Sequence, residues 1–226
     1  MVRAEIYTNY PLHPDIREEV MYGLDLLGSS LGEFVLAKTR IVNLRMNSDG
    51  KVTPRQTDYI AESKDVDLQI IAAPLNLRAQ QSIGQAHFEL GIGYVDTTAE
   101  NLRYARTTTA HEAAHAFGFV LEGSSQALPN NSRHCSDGNC LLHHNAKLKF
   151  DDNYPIEVFR RPRGLKSLLR RSPDVPEDIE DKYYIETQYD FCKPCKSDMS
   201  THGQAQIEVV RQKRRDAEFL LNRGVR

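Results

Sequence analysis

Residues 111–115 of the sequence, HEAAH, place two histidines four positions apart. Residues i and i+4 of an α-helix lie on one face, so the imidazoles of His111 and His115 can reach one metal ion. Neutral imidazole is a common zinc ligand, and a catalytic zinc site keeps three protein ligands and one open position. Glu112 follows the first histidine, where its carboxylate can act as general base toward the water that the metal activates. Gly118 can end the helix and turn the chain back toward the metal.

The four cysteines of the chain are clustered in its second half. Cys135 and Cys140 form a C-x4-C loop, and Cys192 and Cys195 form a C-x-x-C knuckle. Four thiolates in a tetrahedral array make a closed structural zinc site, whose binding energy can fold a region that has few core residues. A redox pair or disulfides are the alternatives. The C-x-x-C is not preceded by the strand and helix context expected of a redox pair, and the N-terminal sequence does not indicate an oxidising compartment.

A chance match of five residues is the alternative to a metal site at residues 111–115. In that case the two histidines are ordinary polar groups of a helix. Gly118, three residues beyond the second histidine, and the cysteines downstream both favour the metal site.

The order HEAAHAFG, His134-Cys135, C-x4-C and C-x-x-C resembles the archaemetzincin family of zinc metallopeptidases across residues 111–195. The family pattern is HExxHxxGxxHC-x4-C-x-M, followed by C-x-x-C. The resemblance implies a metzincin-like α+β fold, hydrolysis of peptide bonds, and two zinc ions per chain, one catalytic and one structural. It implies Glu112 as the general base. The implied ligands are His111, His115 and His134 for the catalytic zinc, and Cys135, Cys140, Cys192 and Cys195 for the structural zinc.

The sequence departs from the family pattern at three places. The position three residues after the glycine is Leu121, and His134 comes 13 residues later. A loop of that length can return to the metal at small entropic cost. Leu142 stands where the family has a methionine that forms a floor under the metal, and Met199 is another candidate for that part. Between Cys140 and Cys192 lie 51 residues, which indicates a large insertion.

Other residues compete with His134 for the place of third ligand. Glu122 would make a site of the type that uses a downstream glutamate, although such a ligand usually comes from a separate helix. His143 and His144 follow the second cysteine and are expected to point away from the cleft, as surface histidines of a loop. His134 is the favoured candidate.

The strands that must position these residues are predicted from short apolar runs. They fall at residues 4–8, 34–46, 66–75 and 86–95. The last run contains two glycines and is expected to be an edge strand with a bulge or a close backbone approach.

The helices alternate with these strands. Pro14 suits the first turn of a helix, whose buried face is expected to contain Ile16, Val20, Leu24 and Leu27. Thr97 and Glu100 form a capping-box pattern, which predicts a long active-site helix from there to about Phe119. The predicted fold class is therefore α+β, a small mixed sheet with helices, followed by an irregular zinc-bound subdomain.

The second half of the chain divides into two further parts. Residues 121–140 are rich in Ser, Asn, Gly and Cys and are expected to be irregular. Residues from Gly203 onward have apolar positions at near-helical spacing, which predicts a C-terminal helix. We therefore expect an α/β subdomain at 1–120, a loop-rich zinc-binding subdomain with an insertion at 121–202, and a helix at 203–226.

The composition excludes several classes of protein. The 226 residues are 40% hydrophobic and 27% charged, as in ordinary globular proteins, and no run is long enough for a membrane span. The net charge of −2 offers no general attraction to nucleic acid. The basic run at 160–171 is followed by acidic residues at 174–181, which we interpret as a solvated pair of opposite charges. We expect a cytoplasmic protein.

The predicted function is zinc-dependent hydrolysis of a peptide or protein substrate, with the strand at 86–95 pairing with the extended substrate. The alternative is a non-catalytic, zinc-stabilised binding protein, whose first site is closed by a fourth protein ligand. A form of this alternative associates with nucleic acid through residues 160–171 and the cysteine knuckle.

Overall fold

The computed structural model describes residues 1–54, 65–77, 83–88, 90–98, 101, 104–119, 127–128, 131–138, 140–143 and 190–222. The chain divides into one unit of Met1–Lys147 with Tyr189–Arg226 and a second unit of Leu148–Gln188. The second unit lies outside the described residues, and so do the basic and acidic runs at 160–171 and 174–181.

Five strands form one mixed sheet, and four of them are parallel. They are β1 (Val2–Thr8), β2 (Val35–Ile41), β3 (Leu68–Ala73), β4 (Gly84–His87) and β5 (Ile92–Asp96). Their order is β2-β1-β3-β5-β4, and β4 runs antiparallel to β5 at one edge. β1 pairs in parallel with β2 and β3, and β3 pairs in parallel with β5. This topology confirms the predicted α+β class with a small mixed sheet.

Two helices, α1 (Pro14–Leu31) and α2 (Ala105–Ala116), share one hydrophobic core with the sheet. Because side chains alternate along a strand, Ala4 and Ile6 of β1 belong to this core, whereas Tyr7 faces the other side. Pro14 begins α1 as predicted, since its missing N–H needs no partner there. The predicted apolar face of α1 is confirmed: Val20, Leu24 and Leu27 are fully buried, and Ile16 packs at the margin of the core.

A close crossing of α1 and α2 positions the second helix. A Cβ atom at Gly23 would lie 2.5 Å from the carbonyl oxygen of Arg106, so only glycine permits this approach. The guanidinium of Arg106 also donates to the carboxylate of Glu19, at 2.8 Å from Nε and 2.9 Å from Nη2.

The other face of the sheet holds a buried carboxylate. Glu5 is 1% exposed and accepts hydrogen bonds from Tyr7 Oη at 2.8 Å and from Arg40 at 3.1 Å, and it pairs with Lys38 at 2.7 Å. Burial alone would raise the pKa of Glu5, but the hydrogen bonds from Lys38, Tyr7 and Arg40 outweigh it and lower the pKa below its usual value. The sheet therefore carries an ionised group in its interior.

The run at residues 86–95 forms a hairpin, and the prediction of one edge strand is wrong. β4 ends at His87, the chain turns through Gly91 with φ +63°, and β5 begins at Ile92. A Cβ atom at Gly91 would lie 2.1 Å from the carbonyl oxygen of Asp67, so glycine is needed both for the turn and for the close approach. β4 forms the edge, and β5 is an inner strand. The strand predicted at 34–46 is also shorter, since β2 ends at Ile41.

α2 begins at Ala105, later than the capping-box pattern predicts. The chain leaves β5 in a turn closed by Asp96, whose carboxylate accepts from the backbone N–H of Thr98 at 3.0 Å and from Asn101 Nδ2 at 2.9 Å. Because Asp96 organises this turn, Thr97 does not cap the helix. Glu100 lies outside the described residues.

A third helix, α3 (Lys193–Asn222), begins at the C-x-x-C knuckle, earlier than the predicted start at Gly203. Its Arg211 binds Asp67, which directly precedes β3, at 2.7 Å and 3.1 Å. α3 also packs against α1, where Gly203 faces Leu31. Among the described helices, none has the length and apolar character that crossing a membrane requires.

Candidate metal centre

Two residues of α2 present imidazoles on one side of the helix. His111 Nε2 and His115 Nε2 lie 3.1 Å apart. α2 then ends in a Schellman motif: the N–H of Gly118 bonds the carbonyl of His115 at 2.8 Å, and the N–H of Phe119 bonds that of Ala114 at 3.1 Å. Gly118 has φ +81°, as this ending requires. The predicted helix stop at Gly118 is therefore confirmed.

A small hairpin brings His134 to the same place. β6 (Ala127–Leu128) pairs antiparallel with β7 (Asn131–Cys135). Residues 127–128 and 131–135 therefore form strands, and the irregular structure predicted for them is wrong. The local sequence gave little sign of this, because β6 has only two residues.

The three histidines, His111, His115 and His134, form a cluster that can hold a metal ion; we call it the histidine cluster. Each offers one ring nitrogen, and these atoms all lie within 4.8 Å of one another. Tetrahedral zinc with bonds of about 2.0–2.1 Å requires nitrogens about 3.3 Å apart, so the separation of 3.1 Å between the α2 histidines fits zinc.

The backbone of residue 141 orients the first histidine. His111 Nδ1 lies 2.5 Å from the carbonyl oxygen of Leu141, and since a carbonyl can only accept, Nδ1 carries the hydrogen. Nε2 of His111 is then the nitrogen with a free lone pair, directed at the cluster. Burial lowers the pKa of His111, which favours the neutral imidazole that metals bind.

Glu112 is buried under the edge of the sheet. Atoms of its side chain come so close to Gly84 of β4 that a Cβ atom there would lie 2.6 Å from Glu112 Cγ and 2.7 Å from Oε1. Burial raises the pKa of Glu112 to about 8. A carboxyl group with this pKa can both accept and donate a proton near neutral pH, as general acid–base catalysis requires. No sequence pattern indicated Gly84, which becomes visible only when β4 and α2 are packed together.

The four cysteines form a second group, which we call the cysteine cluster. Their Sγ atoms all lie within 4.8 Å of one another, and the pairs Cys135–Cys192 and Cys140–Cys195 are each 3.7 Å apart. This distance is far longer than a disulfide bond of about 2.05 Å, and the cysteines are free. It matches the separation of about 3.8 Å that four Zn–S bonds of about 2.3 Å require in a tetrahedron.

Two of the sulfur atoms accept backbone hydrogen bonds, and the pKa shifts of the thiols differ in direction. The backbone N–H of Cys192 donates to Cys140 Sγ at 3.3 Å, and that of Asp137 donates to Cys135 Sγ at 3.4 Å. The hydrogen bond with Cys195 lowers the pKa of Cys140 to about 6, and the same bond raises the pKa of Cys195. Burial raises the pKa of Cys135 to about 12. A cation would replace the protons that these thiols otherwise hold.

Of the remaining candidates from the sequence, the structure describes His143, Leu142 and Met199, and His143 is not a member of the histidine cluster. His143 follows the cysteine loop, and its N–H bonds the carbonyl of Cys140 at 2.9 Å. Leu142 and Met199 are both buried in the main hydrophobic core. Glu122 and His144 lie outside the described residues.

No protein-family model matches the chain, and no curated protein matches its sequence. Among solved structures, archaemetzincin from Methanopyrus kandleri is similar with a TM-score of 0.51 at 16% identity, over 90% of this chain and 96% of that chain. A zinc-dependent peptidase from Methanocorpusculum labreanum gives 0.39 at 14% identity, over 62% and 87% of the two chains. A chain of a chaperone–substrate complex gives 0.41 at 11% identity, over 92% of this chain and 34% of that one.

The likeness to archaemetzincin concerns the fold. The mixed sheet and the three described helices have an archaemetzincin-like arrangement, as the sequence resemblance implied. The other two likenesses are too weak to carry an argument.

Proposed function

We propose that the protein is a zinc-dependent peptidase. The observation that carries the proposal is the meeting of three imidazoles, from α2 and β7, beside a buried glutamate on α2. In the described part of the chain, the histidine cluster contains three ligand residues, which leaves one position of a tetrahedral ion for water or substrate. A structural zinc site would instead be closed by four protein ligands.

In this proposal His111, His115 and His134 hold the catalytic zinc. Zinc bound there supplies a Lewis acid that polarises the scissile carbonyl and lowers the pKa of water toward about 7. Glu112 accepts the proton of the attacking water at its carboxylate and donates it to the leaving amine. Its burial keeps bulk water from competing for this proton.

The edge strand β4 is the proposed binding surface for the substrate backbone. β4 pairs with β5 on one side and forms the edge of the described sheet on the other. An extended peptide can add to such an edge through main-chain hydrogen bonds. Because Gly84 of β4 touches the Glu112 side chain, a peptide on this edge would run close to the general base.

The cysteine cluster is the proposed site of a second, structural zinc ion. Its four thiolates leave no open position, and the cluster joins the loop after β7 to the start of α3. Each chain would then bind two zinc ions.

The test of the proposed activity is Glu112→Gln. The variant should keep two zinc ions per chain, measured by elemental mass spectrometry, and lose cleavage of a peptide library by at least ~10²-fold, because an amide cannot accept the proton. Glu208→Gln, which changes a largely exposed glutamate of α3, is the matched control and should cleave like wild type. Wild-type cleavage by Glu112→Gln would refute the mechanism.

Zinc content, peptide cleavage and inhibitor binding together distinguish a peptidase from a non-catalytic zinc protein. A binding protein would show two zinc ions, no cleavage of any library peptide by wild type, and zinc that a hydroxamate-type chelating inhibitor fails to contact. A peptidase should show an exchangeable position on the histidine-bound metal.

A further inference from the structure

The histidine and cysteine clusters share two short pieces of backbone. His134 directly precedes Cys135 at the end of β7, and neighbouring side chains of a strand point to opposite sides. One residue can therefore face each cluster. Leu141 directly follows Cys140, and its carbonyl accepts the hydrogen bond from His111 Nδ1 at 2.5 Å.

The segment around Leu141 is held from both sides. The N–H of Cys135 donates to the carbonyl of Leu142 at 2.9 Å, and the N–H of Leu141 donates to the carbonyl of Asp190 at 3.1 Å. The N–H of Cys192 donates to Cys140 Sγ at 3.3 Å. The carbonyl that orients His111 is thus fixed between β7 and the strand-like residues that lead into α3.

We infer that metal bound at the cysteine cluster positions the histidine cluster, through His134 and the carbonyl of Leu141, and so sets its affinity for zinc. The inference rests on the proposed function, since it assumes zinc at both clusters. Four metal–sulfur bonds would join two segments that are distant in sequence: the end of β7 with the following loop, and the residues that lead into the first turn of α3. Without the metal, the backbone hydrogen bonds of Cys135 and Leu141 are left to hold His134 and the Leu141 carbonyl in place, and we expect both groups to be less precisely positioned.

The expected change in zinc affinity follows from known effects of groups that orient metal ligands. Loss of such a partner typically costs about 10–100-fold in metal affinity. Here both His134 and the Leu141 carbonyl depend on metal bound at the cysteine cluster. The zinc affinity of the histidine cluster is therefore expected to fall at least tenfold when the cysteine cluster is empty. Because coupling between two binding sites is reciprocal, an occupied histidine cluster must raise the affinity of the cysteine cluster by the same factor.

The experiment uses the full chain, made metal-free and titrated with zinc against a competing chelator. Co²⁺ substitution distinguishes the clusters, because cobalt bound by thiolates gives a charge-transfer absorption that cobalt bound by imidazoles lacks. Cys192→Ala combined with Cys195→Ala removes half of the thiolates, and neither residue adjoins His134 or Leu141. Circular dichroism checks that the helices remain folded.

Cys192→His is the matched control. Cys192 is the partly exposed member of the cluster, and three thiolates with one imidazole also form structural zinc sites. We expect the double alanine variant to raise the dissociation constant of the histidine cluster about 10–100-fold, and Cys192→His to keep the wild-type value. Compared with wild type whose histidine cluster is filled, His115→Ala should weaken zinc binding at the cysteine cluster by the same factor.

Three results would overturn the inference. The double alanine variant could bind zinc at its histidines as tightly as wild type does. Cys192→His could fill the cysteine cluster and still bind as weakly at the histidines as the double variant. The cysteine-cluster affinity could remain unchanged in His115→Ala. Failure of the proposed function itself looks different, since wild type would then cleave no library peptide, whatever the zinc affinities of the two clusters.

Discussion

Replacing Gly84 with alanine tests whether Glu112 works where the structure places it. The alanine Cβ would lie 2.6 Å from Glu112 Cγ, 2.7 Å from Glu112 Oε1 and 2.7 Å from Thr108 Cγ2. Ordinary carbon contacts begin near 3.4 Å. Either β4 or the Glu112 side chain must therefore move by about 0.8 Å, since a packed interior has no spare volume there.

A shift of this size should be visible in catalysis. A misplacement of about 1 Å in a catalytic arrangement can cost about 10²-fold in rate. We therefore expect kcat/KM of Gly84→Ala to fall about 10–100-fold, which corresponds to about 1.4–2.7 kcal/mol of transition-state stabilisation. The overpacking should also cost about 1–3 kcal/mol of folding free energy. Zinc content should stay at the wild-type value, because the atoms that meet the new methyl group belong to Glu112 and Thr108.

The assay is cleavage of a peptide substrate selected from a library, at equal zinc content and below the unfolding temperature. Gly28→Ala is the matched control, because its Cβ would lie 2.8 Å from the carbonyl of Glu33 and 2.8 Å from Val35 Cγ2, in a part of α1 outside the site. It should change stability and leave kcat/KM unaltered. Wild-type activity of a folded, zinc-loaded Gly84→Ala would refute the placement of Glu112 against β4. An equal loss of activity in both variants would show that crowding acts through general destabilisation.

Three further predictions test the metal ligands, the helix end and the buried carboxylate. His134→Ala should lower the zinc content from about two ions to about one per chain by elemental mass spectrometry, because one of three imidazole ligands is lost; two retained ions would place the third ligand elsewhere. Gly118→Ala should cost about 1–2 kcal/mol in urea unfolding, because alanine is strained at φ +81°, and Gly118→Asn should cost less. Glu5 has a lowered pKa in the folded state, so its contribution to stability is present above its unfolded pKa near 4.5 and is lost as the pH falls through the lower folded value. The stability difference between wild type and Glu5→Gln, measured by urea unfolding of metal-free protein, should therefore be constant at neutral pH and shrink below about pH 4.5; a difference independent of pH would contradict this.

Elements governed by neighbouring residues were predictable from the sequence. α1 begins at Pro14 and buries Val20, Leu24 and Leu27, because the proline and the helical spacing act within the element itself. The hairpin of β4 and β5 was not predictable, because Gly91 turns the chain where it meets the backbone of Asp67, distant in sequence. The start of α2 was missed for a related reason. The carboxylate of Asp96 forms a turn that competes with the capping-box pattern, and local preference gives way to that turn.

The histidine cluster also contains residues that local spacing predicts and one that depends on tertiary structure. His111 and His115 face one direction because helical geometry alone puts residues i and i+4 together, so the spacing was enough to predict these two members of the histidine cluster. The position of His134 depends on the pairing of β6 with β7. Its separation from His115 along the chain therefore says little about the distance between the two side chains in the folded protein. The hairpin shortens the return path, which lowers the entropic cost of the longer loop. The 13-residue displacement of His134 from the family position is therefore compatible with a three-histidine centre. In the proposed three-histidine centre, the extra loop length at this point requires no change in ligand geometry, provided that the hairpin and the adjoining cysteine cluster hold the end of β7 in place.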